Sequence, residues 1–364
     1  MIESILSQFE ISGAFVKAEK WGTGLINDTW LCEYFEGETA RRYILQRLNP
    51  GVFALPVQVM ENIRTVTDHM VRRLAAAGVV DPQQQVLSLI PAVTGHPYVL
   101  DASGGAWRAT HFIESCSVYD IVSSPDLARE IGRGLGRFQA LVSDLQPRLL
   151  HDTLPSFHNT PYYLREFDEA LKKDIRSRAA EVRPEVEFVN RRRRTASLLM
   201  DRLDSGRIPL RVVHNDPKAN NVLISDLTGK AVCMIDLDTV KPGIVHFDFG
   251  DCVRSACNPA GEDAKHFGDI RIDPDLFAAL AEGYLGEAAI FLTPDETELL
   301  ALSPKVITYE LGLRFLADYL RGDTYFKTTS PAQNLHRARV QLLLLEDMER
   351  AAPQMAAIIK KNMT

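Results

Sequence analysis

The chain has 364 residues, 46% of them apolar and 24% charged, a composition that excludes intrinsic disorder and a length that allows about two domains with a sizeable core. Its 41 basic and 48 acidic residues leave a net charge of −7, so neither nucleic acid nor a membrane surface is an expected partner. There is no apolar run near the roughly 18 residues of a membrane span, no basic-then-apolar leader, and no CxxC pair among five cysteines; a cytoplasmic enzyme with reduced thiols, acting as a monomer, is the expectation.

Along the chain, Phe15–Trp21 alternates and stops at Gly22-Thr23-Gly24. Thr29–Phe35 and Arg42–Leu48 flank a turn at Glu36-Gly37, which predicts a hairpin. Pro56 opens a helical segment with Val59, Ile63, Val66, Met70 and Leu74 on one face, ended by Gly78. Val86–Ile90 and Ala106–Ile113 are two more strand candidates between turn-rich stretches. After Ile113 the pattern becomes helical, with predicted helices at Pro125–Val142, Tyr163–Arg176 and Pro184–Leu203. An island of short β-branched runs follows, Leu210–Val213, Val222–Ile224 and Val232–Ile235, and helices resume to the C-terminus. The plan is α+β and two-lobed. Residues 1–113 form a small β-rich lobe, residues 114–364 a large, mainly helical one, and a hinge lies near residues 112–118.

The β-island carries the chemistry: His214-Asn215-Asp216-Pro217-Lys218-Ala219-Asn220-Asn221, then Ile235-Asp236-Leu237-Asp238. A kinase catalytic loop reads H-R-D-x-x-x-x-N, with Asp as base and Asn as metal ligand, and a second metal-binding Asp follows it. His214, Asp216 and Asn221 keep that spacing, and Asp236 follows an apolar strand as the second Asp should. Phosphoryl transfer needs positioning and charge neutralisation more than covalent help. Asp216 can take a hydroxyl proton, Asn221 and Asp236 offer hard oxygens suited to Mg²⁺, and Lys218 can offset charge on the transferring group. The plain alternative is a polar turn whose Asp and Asn serve turn geometry. Upstream, Gly22-Thr23-Gly24 sits where a loop over ATP phosphates would lie, although Asn27 stands in place of a third glycine.

Three other signals read as structural. Asp248-Phe249-Gly250 spells a kinase triplet, but Asp236 already fills the metal slot, so Asp248 is expected to start a helix and hydrogen-bond the catalytic loop. Gly132-Arg133-Gly134-Leu135-Gly136 lies inside a helical pattern and reads as a close-packing face. Arg191 to Arg194 reads as a solvated helix face.

With Asp216, Asn221, Asp236 and Phe247-Asp248-Phe249-Gly250, the sequence resembles the aminoglycoside phosphotransferase-like kinases, which have a protein-kinase-like fold and act on small molecules. Within that family it is most similar to the N-acetylhexosamine 1-kinases. The likeness extends over Tyr43-Ile44-Leu45-Gln46, Gly104-Gly105-Ala106-Trp107-Arg108, Phe112-Ile113-Glu114, Phe157-His158-Asn159-Thr160-Pro161 and Arg314 to Leu320. The resemblance implies transfer of the ATP γ-phosphate to the anomeric hydroxyl of N-acetylglucosamine or N-acetylgalactosamine. It makes Asp216 the base, Asn221 and Asp236 the Mg²⁺ ligands, and Phe112, Ile113 and Glu114 the adenine-holding hinge. By resemblance, Asp238, Thr239, Arg314 and Tyr325 lie near the sugar. Each has a plain alternative: Arg314 pairing with Asp318 along a helix, Tyr325 in the core. His158 is equally open to a pocket, capping or core role.

Two departures stand out. The strand slot that normally holds a phosphate-gripping Lys reads Gln46, followed by Arg47. Arg47 turning inward and Arg47 facing solvent are both open, with Glu61 a candidate helical partner. Leu25 occupies the glycine loop where a polar residue is expected, which bears on substrate preference. A sister kinase for an amino alcohol, thiosugar or aminoglycoside, and a non-catalytic nucleotide binder, remain as competing readings. Against a cationic acceptor, the acidic run Asp295, Glu296 and Glu298 reads as an ordinary helix start, with Glu310 apart from it.

Overall fold

The structure, a computed structural model, describes residues 2–22 and 26–363. A short helix α1 (Ile2–Leu6) precedes β1 (Ala14–Lys20), β2 (Asp28–Glu36) and β3 (Thr39–Arg47). Glu36 and Thr39 pair across a two-residue turn in which Gly37 takes φ +63°, the left-handed geometry that matches strand twist. After helix α2 (Pro56–Ala76), the short strands β4 (Leu89–Ile90) and β5 (Val99–Leu100) and the longer β6 (Ala106–His111) complete the sheet in the order β1-β2-β3-β6-β4, with β5 on β6. Side chains alternate, so Tyr43, Leu45 and Trp107 share the outer core with Ile5, Leu6 and Phe9, while Gln46 and Arg108 face the other way.

The chain then crosses to the helical lobe, where β7 (Cys116–Ser117) already pairs with a strand of the β-island. Helices α3 (Pro125–Val142), α4 (Thr160–Lys173), α5 (Arg183–Arg191) and α6 (Met200–Asp204) follow. The island contains β8 (Arg211–Val213), β9 (Val222–Ser225), β10 (Ala231–Met234) and β11 (Lys241–Gly243). The C-terminal helices are α7 (Val245–Ala256), α8 (Pro274–Ala288), α9 (Pro294–Leu299), α10 (Ser303–Arg321) and α11 (Gln333–Lys361). Helix α9 opens with a capping box between Thr293 and Glu296, so its acidic run is a helix start, and Glu296 also pairs with Arg211.

Helix α2 is placed differently from what its position in the sequence suggests. Its buried Val59, Met60, Ile63, Val66, Met70 and Leu74 share one core with Ile131, Leu135 and Phe138 of α3, separate from the outer core of the sheet. Buried Asn62 secures it: its amide donates to the His151 and Val240 carbonyls at 2.8 and 3.0 Å and accepts from the His151 N–H at 2.8 Å.

The glycine run in α3 is a packing seam. Any side chain at Gly132 or Gly136 would strike the Leu280 or Tyr284 carbonyl of α8, and one at Gly283 would strike Arg129. The predicted helix Pro184–Leu203 is broken into α5, a 3₁₀ turn at Arg193–Ser197 and α6. The arginines at that break are anchors as well as surface. Arg192 bonds Glu349 of α11 at 2.7 to 3.0 Å and lies 3.6 Å over the Phe188 ring, and Arg193 bonds Asp168 of α4 at 2.9 Å. Of the predicted strand Val86–Ile90 only Leu89–Ile90 forms, because a 3₁₀ turn at Pro82–Gln85 drops Val86 into the core. No helix among the described residues is long and apolar enough to cross a membrane.

Candidate active site

The loop between β8 and β9 is fixed from below. Asp248, fully buried in the first turn of α7, accepts the Asn215 N–H at 2.7 Å, the His214 N–H at 2.9 Å and the Gln139 amide at 2.8 Å. His214 donates from Nε2 to the Ile235 carbonyl at 2.9 Å and accepts the Asp216 N–H on Nδ1 at 3.3 Å, tying the loop to the segment after β10. Thr239 donates its hydroxyl to the His214 carbonyl at 2.7 Å. The backbone carrying Asp216 is thus specified by buried hydrogen bonds, which are costly to leave unmade.

Asp216 is half-buried, with Lys218 Nζ 3.1 Å from its carboxylate. That carboxylate first, and Asp236 after it, hold the Lys218 ammonium charged well above its ordinary range. Asn221 donates its amide to the Asp216 carbonyl at 2.7 Å, which leaves its Oδ1 as the free end. Asp236 takes left-handed backbone at φ +60°, and its carboxylate is open to the cleft. Protein hems that carboxylate in on its other sides and pushes its pKa up to about 6. Asp238 and Asp216 add to the rise, while Lys218 and Arg108 oppose it. Among the described residues no group of three or more His, Cys, Asp or Glu is placed to hold a metal ion. A magnesium ion bound with a nucleotide needs only one or two protein oxygens beside the phosphates.

Above this loop, Arg108 of β6 is buried at 1% exposure. Its Nε donates to Gln46 at 2.9 Å and its Nη1 to Asp238, across the gap between the lobes. Asn27 donates to the other Asp238 oxygen. Asp238, 2% exposed, is therefore a tie between lobes, with both oxygens already hydrogen-bonded. Thr239 likewise spends its proton on the loop backbone. Arg47 does not turn inward. It lies on the opposite face of β3, bonding Asp101 at 3.1 Å and Ser103 at 2.9 Å, because strand side chains alternate. Glu61 is exposed and paired with His151 at 3.0 Å. Gly22 takes φ +74°, and Thr23, Gly24 and Leu25 lie outside the described residues.

The hinge is held from β3. Arg42 bonds Glu114 at 2.8 Å and lies 4.3 Å over the Phe112 ring, and the Phe112 N–H donates to the Arg42 carbonyl at 3.1 Å. Past Ser115, whose carbonyl accepts the Asp226 N–H at 2.8 Å, the chain belongs to the helical lobe.

On the far side of Asp216, Arg314 of α10 is enclosed by rings. Its guanidinium lies 5.0 Å from Phe157 and Tyr163, 5.5 Å from Phe326 and 6.0 Å from Tyr325. Among the described residues no carboxylate pairs with it, Asp318 included. Tyr163, Tyr325, Glu310 and Asp216 raise its pKa against the opposing effect of burial, so the charge persists. Tyr325 is 63% exposed and no part of the core. His158 is buried beneath, bonding Glu310 at 3.0 Å and the Asn215 carbonyl at 2.7 Å, so it braces the loop.

Sequence reasoning placed Tyr325 beside Arg314 but missed the bridging role of Arg108 and the rings of Phe157, Tyr163 and Phe326 around Arg314. An arginine inside the otherwise buried strand run Ala106-Trp107-Arg108-Ala109 was the available signal, since such a charge needs a buried partner.

A β-sheet lobe over a helical lobe, with Asp216, Asn221 and Asp236 facing one cleft, has the architecture of a protein-kinase-like phosphotransferase. Residues 18–296 match the phosphotransferase enzyme family, and the chain belongs to it as a small-molecule kinase. Solved structures share the fold. An aminoglycoside phosphotransferase from Alicyclobacillus acidocaldarius superposes with TM-score 0.65 at 13% identity, over 99% of this chain and 96% of that one. A microcompartment-associated aminopropanol kinase gives 0.60 at 15% identity over 98% of both chains. A spectinomycin phosphotransferase in complex with ADP and spectinomycin gives 0.56 at 13% identity over 97% of both.

Proposed function

We propose that the protein transfers the γ-phosphate of ATP to the anomeric hydroxyl of an N-acetylhexosamine, releasing ADP and the sugar 1-phosphate. Asp216 accepts the hydroxyl proton as that oxygen bonds to the γ-phosphorus and the bond to the β,γ-bridging oxygen breaks. Lys218, held charged beside Asp216, stabilises the negative charge in transit. Phe112, Ile113 and Glu114 border the adenine, and Gly22-Thr23-Gly24 the phosphates. The fold shared with an enzyme solved with ADP supports a nucleotide in this cleft.

The residues fit a magnesium ion. Asn221 Oδ1 is left free by its amide's bond, and the Asp236 carboxylate has no hydrogen bond or ion pair among the described residues. Bound there with the nucleotide, the ion would neutralise phosphate charge.

The observation that carries the choice of acceptor is Arg314. A fixed guanidinium without a carboxylate partner repels an ammonium and suits an acceptor rich in hydroxyl oxygens, while the surrounding rings offer a wall for a sugar face. Amines are named among the acceptors of relatives with this fold, and this charge argues against them here. The N-acetyl group and the anomeric position rest on the sequence resemblance.

Incubation with ATP, magnesium and a panel of acceptors tests the reading. Free N-acetylglucosamine or N-acetylgalactosamine should be phosphorylated, whereas the 1-O-methyl glycoside should not, because only its nucleophile is lost. Choline, homoserine and kanamycin should be poor acceptors. Turnover of the methyl glycoside near the rate of the free sugar would end the 1-kinase assignment. Preference for an amine would move the acceptor to another branch of the family.

A further inference from the structure

The strand position that in kinases supplies a lysine to the nucleotide phosphates is Gln46 here, and Arg47 beside it faces away. We infer that Arg108 is the phosphate-holding cation of this protein, displaced by one strand from the usual position. The inference rests on the nucleotide reading above.

Gln46 and Arg108 are register partners on adjacent strands, on the same face of the sheet, and bonded to each other at 2.9 Å. Neighbouring strands lie about 4.8 Å apart, a gap a long guanidinium side chain spans. Arg108 projects from the roof of the cleft toward its floor, where it meets Asp238 and lies close enough to Asp236 for its charge to act on that carboxylate. Its Nε and Nη1 are occupied, while Nη2 has no partner among the described residues. A guanidinium nitrogen that no described residue accepts from is a donor this side chain can offer an anion. A phosphate oxygen beside Asp236 would accept it, and arginine is well suited to binding phosphate.

The competing role for Arg108 is mechanical, a bolt through Asp238 that joins the lobes. Nucleotide affinities separate the two. In Arg108→Gln, the Kd for ATP and ADP should rise about 10-fold or more, while that for adenosine, which has no phosphate, should stay within about twofold. Moving the cation back, as Gln46→Lys with Arg108→Gln, should restore ATP affinity. An unchanged ATP Kd, an equal weakening of ATP and adenosine, or a relocated lysine that recovers nothing would each overturn the inference. If Arg108→Gln fails to fold, the relocated variant, which keeps a charge near Asp238, decides alone. A wild-type complex with ADP supplies a reading independent of any variant: an Arg108 nitrogen on a phosphate oxygen supports the inference, and Arg108 on Asp238 only overturns it. A wild-type chain that binds neither ATP nor adenosine would instead defeat the kinase reading, and this inference with it.

Discussion

Asp318 stands one helical turn beyond Arg314 on α10, yet its carboxylate turns away from that guanidinium and holds the loop that follows the helix. Its Oδ1 accepts the N–H groups of Thr324 and Tyr325, both at 2.9 Å, and its Oδ2 accepts the Phe326 N–H and the Asn334 amide, also at 2.9 Å. Asp318 thereby seats two of the rings around Arg314 and leaves the guanidinium without an intrahelical partner, free to act on whatever enters beside Asp216.

Arg314→Ala should therefore raise KM for the sugar by about 10- to 150-fold, the cost of a charged hydrogen bond, and leave KM for ATP nearly unchanged. Steady-state kinetics with each substrate varied in turn checks this, and an equal rise in both constants would place Arg314 outside the acceptor site.

Asp216→Asn keeps the shape of the side chain and removes the base. The expected loss in kcat is on the order of 10² to 10⁴ with little change in KM for ATP. Activity within about threefold of wild type would remove Asp216 from the mechanism.

Asp248→Ala should act on stability. It strands two backbone N–H groups and the Gln139 amide in the core, and each orphaned donor costs about 1–3 kcal/mol. A loss of about 3 kcal/mol or more in urea unfolding is expected. An unchanged midpoint combined with altered metal dependence would mean that Asp248, not Asp236, is the metal-binding aspartate.

His246 should contribute to the acid limb of stability. It is fully buried, its Nε2 donates to the Glu296 carbonyl at 2.8 Å, and its Nδ1 has no partner. Burial, with Arg211 nearby and Glu296 opposing, pushes its pKa down to about 4. Between pH 6.5 and 4 the unfolded chain binds a proton that the folded chain lacks, so stability falls as pH falls, by up to about 3 kcal/mol. His246→Gln should flatten that limb in denaturation series at pH 7, 5.5 and 4.5. A pH profile parallel to wild type would show that another group controls it.

Glycine substitutions along one pair of helices should split in sign. Gly132→Ala drives a methyl into the Leu280 carbonyl and should cost about 1–3 kcal/mol. Gly286→Ala on α8 meets nothing within 4 Å and should stabilise by up to about 1 kcal/mol through helix propensity. Equal melting temperatures for the two variants would contradict the seam.

The gathering of Asp216, Asn221 and Asp236 around one loop and the bracing role of Asp248 were legible because the spacing lies within one short stretch of chain. The packing role of the glycines was legible because they fell inside a helical period. The partners of Arg47, Arg108 and Asp238 were not. They depend on which face of a strand meets the other lobe, and Asp238 lies 130 residues from Arg108. The broken helix at Arg191 was hidden because its periodicity continues through the break, while the ion pairs to Glu349 and Asp168 that hold it come from distant helices.

Because the buried face of α2 belongs to the helical core and Asn62 stitches it to two segments there, the mechanical boundary of the molecule does not follow chain order. If the lobes move against each other, the natural slip plane runs between the sheet and α2. The moving body is then little more than the sheet and α1, carried over a stationary helix like a hatch on a frame.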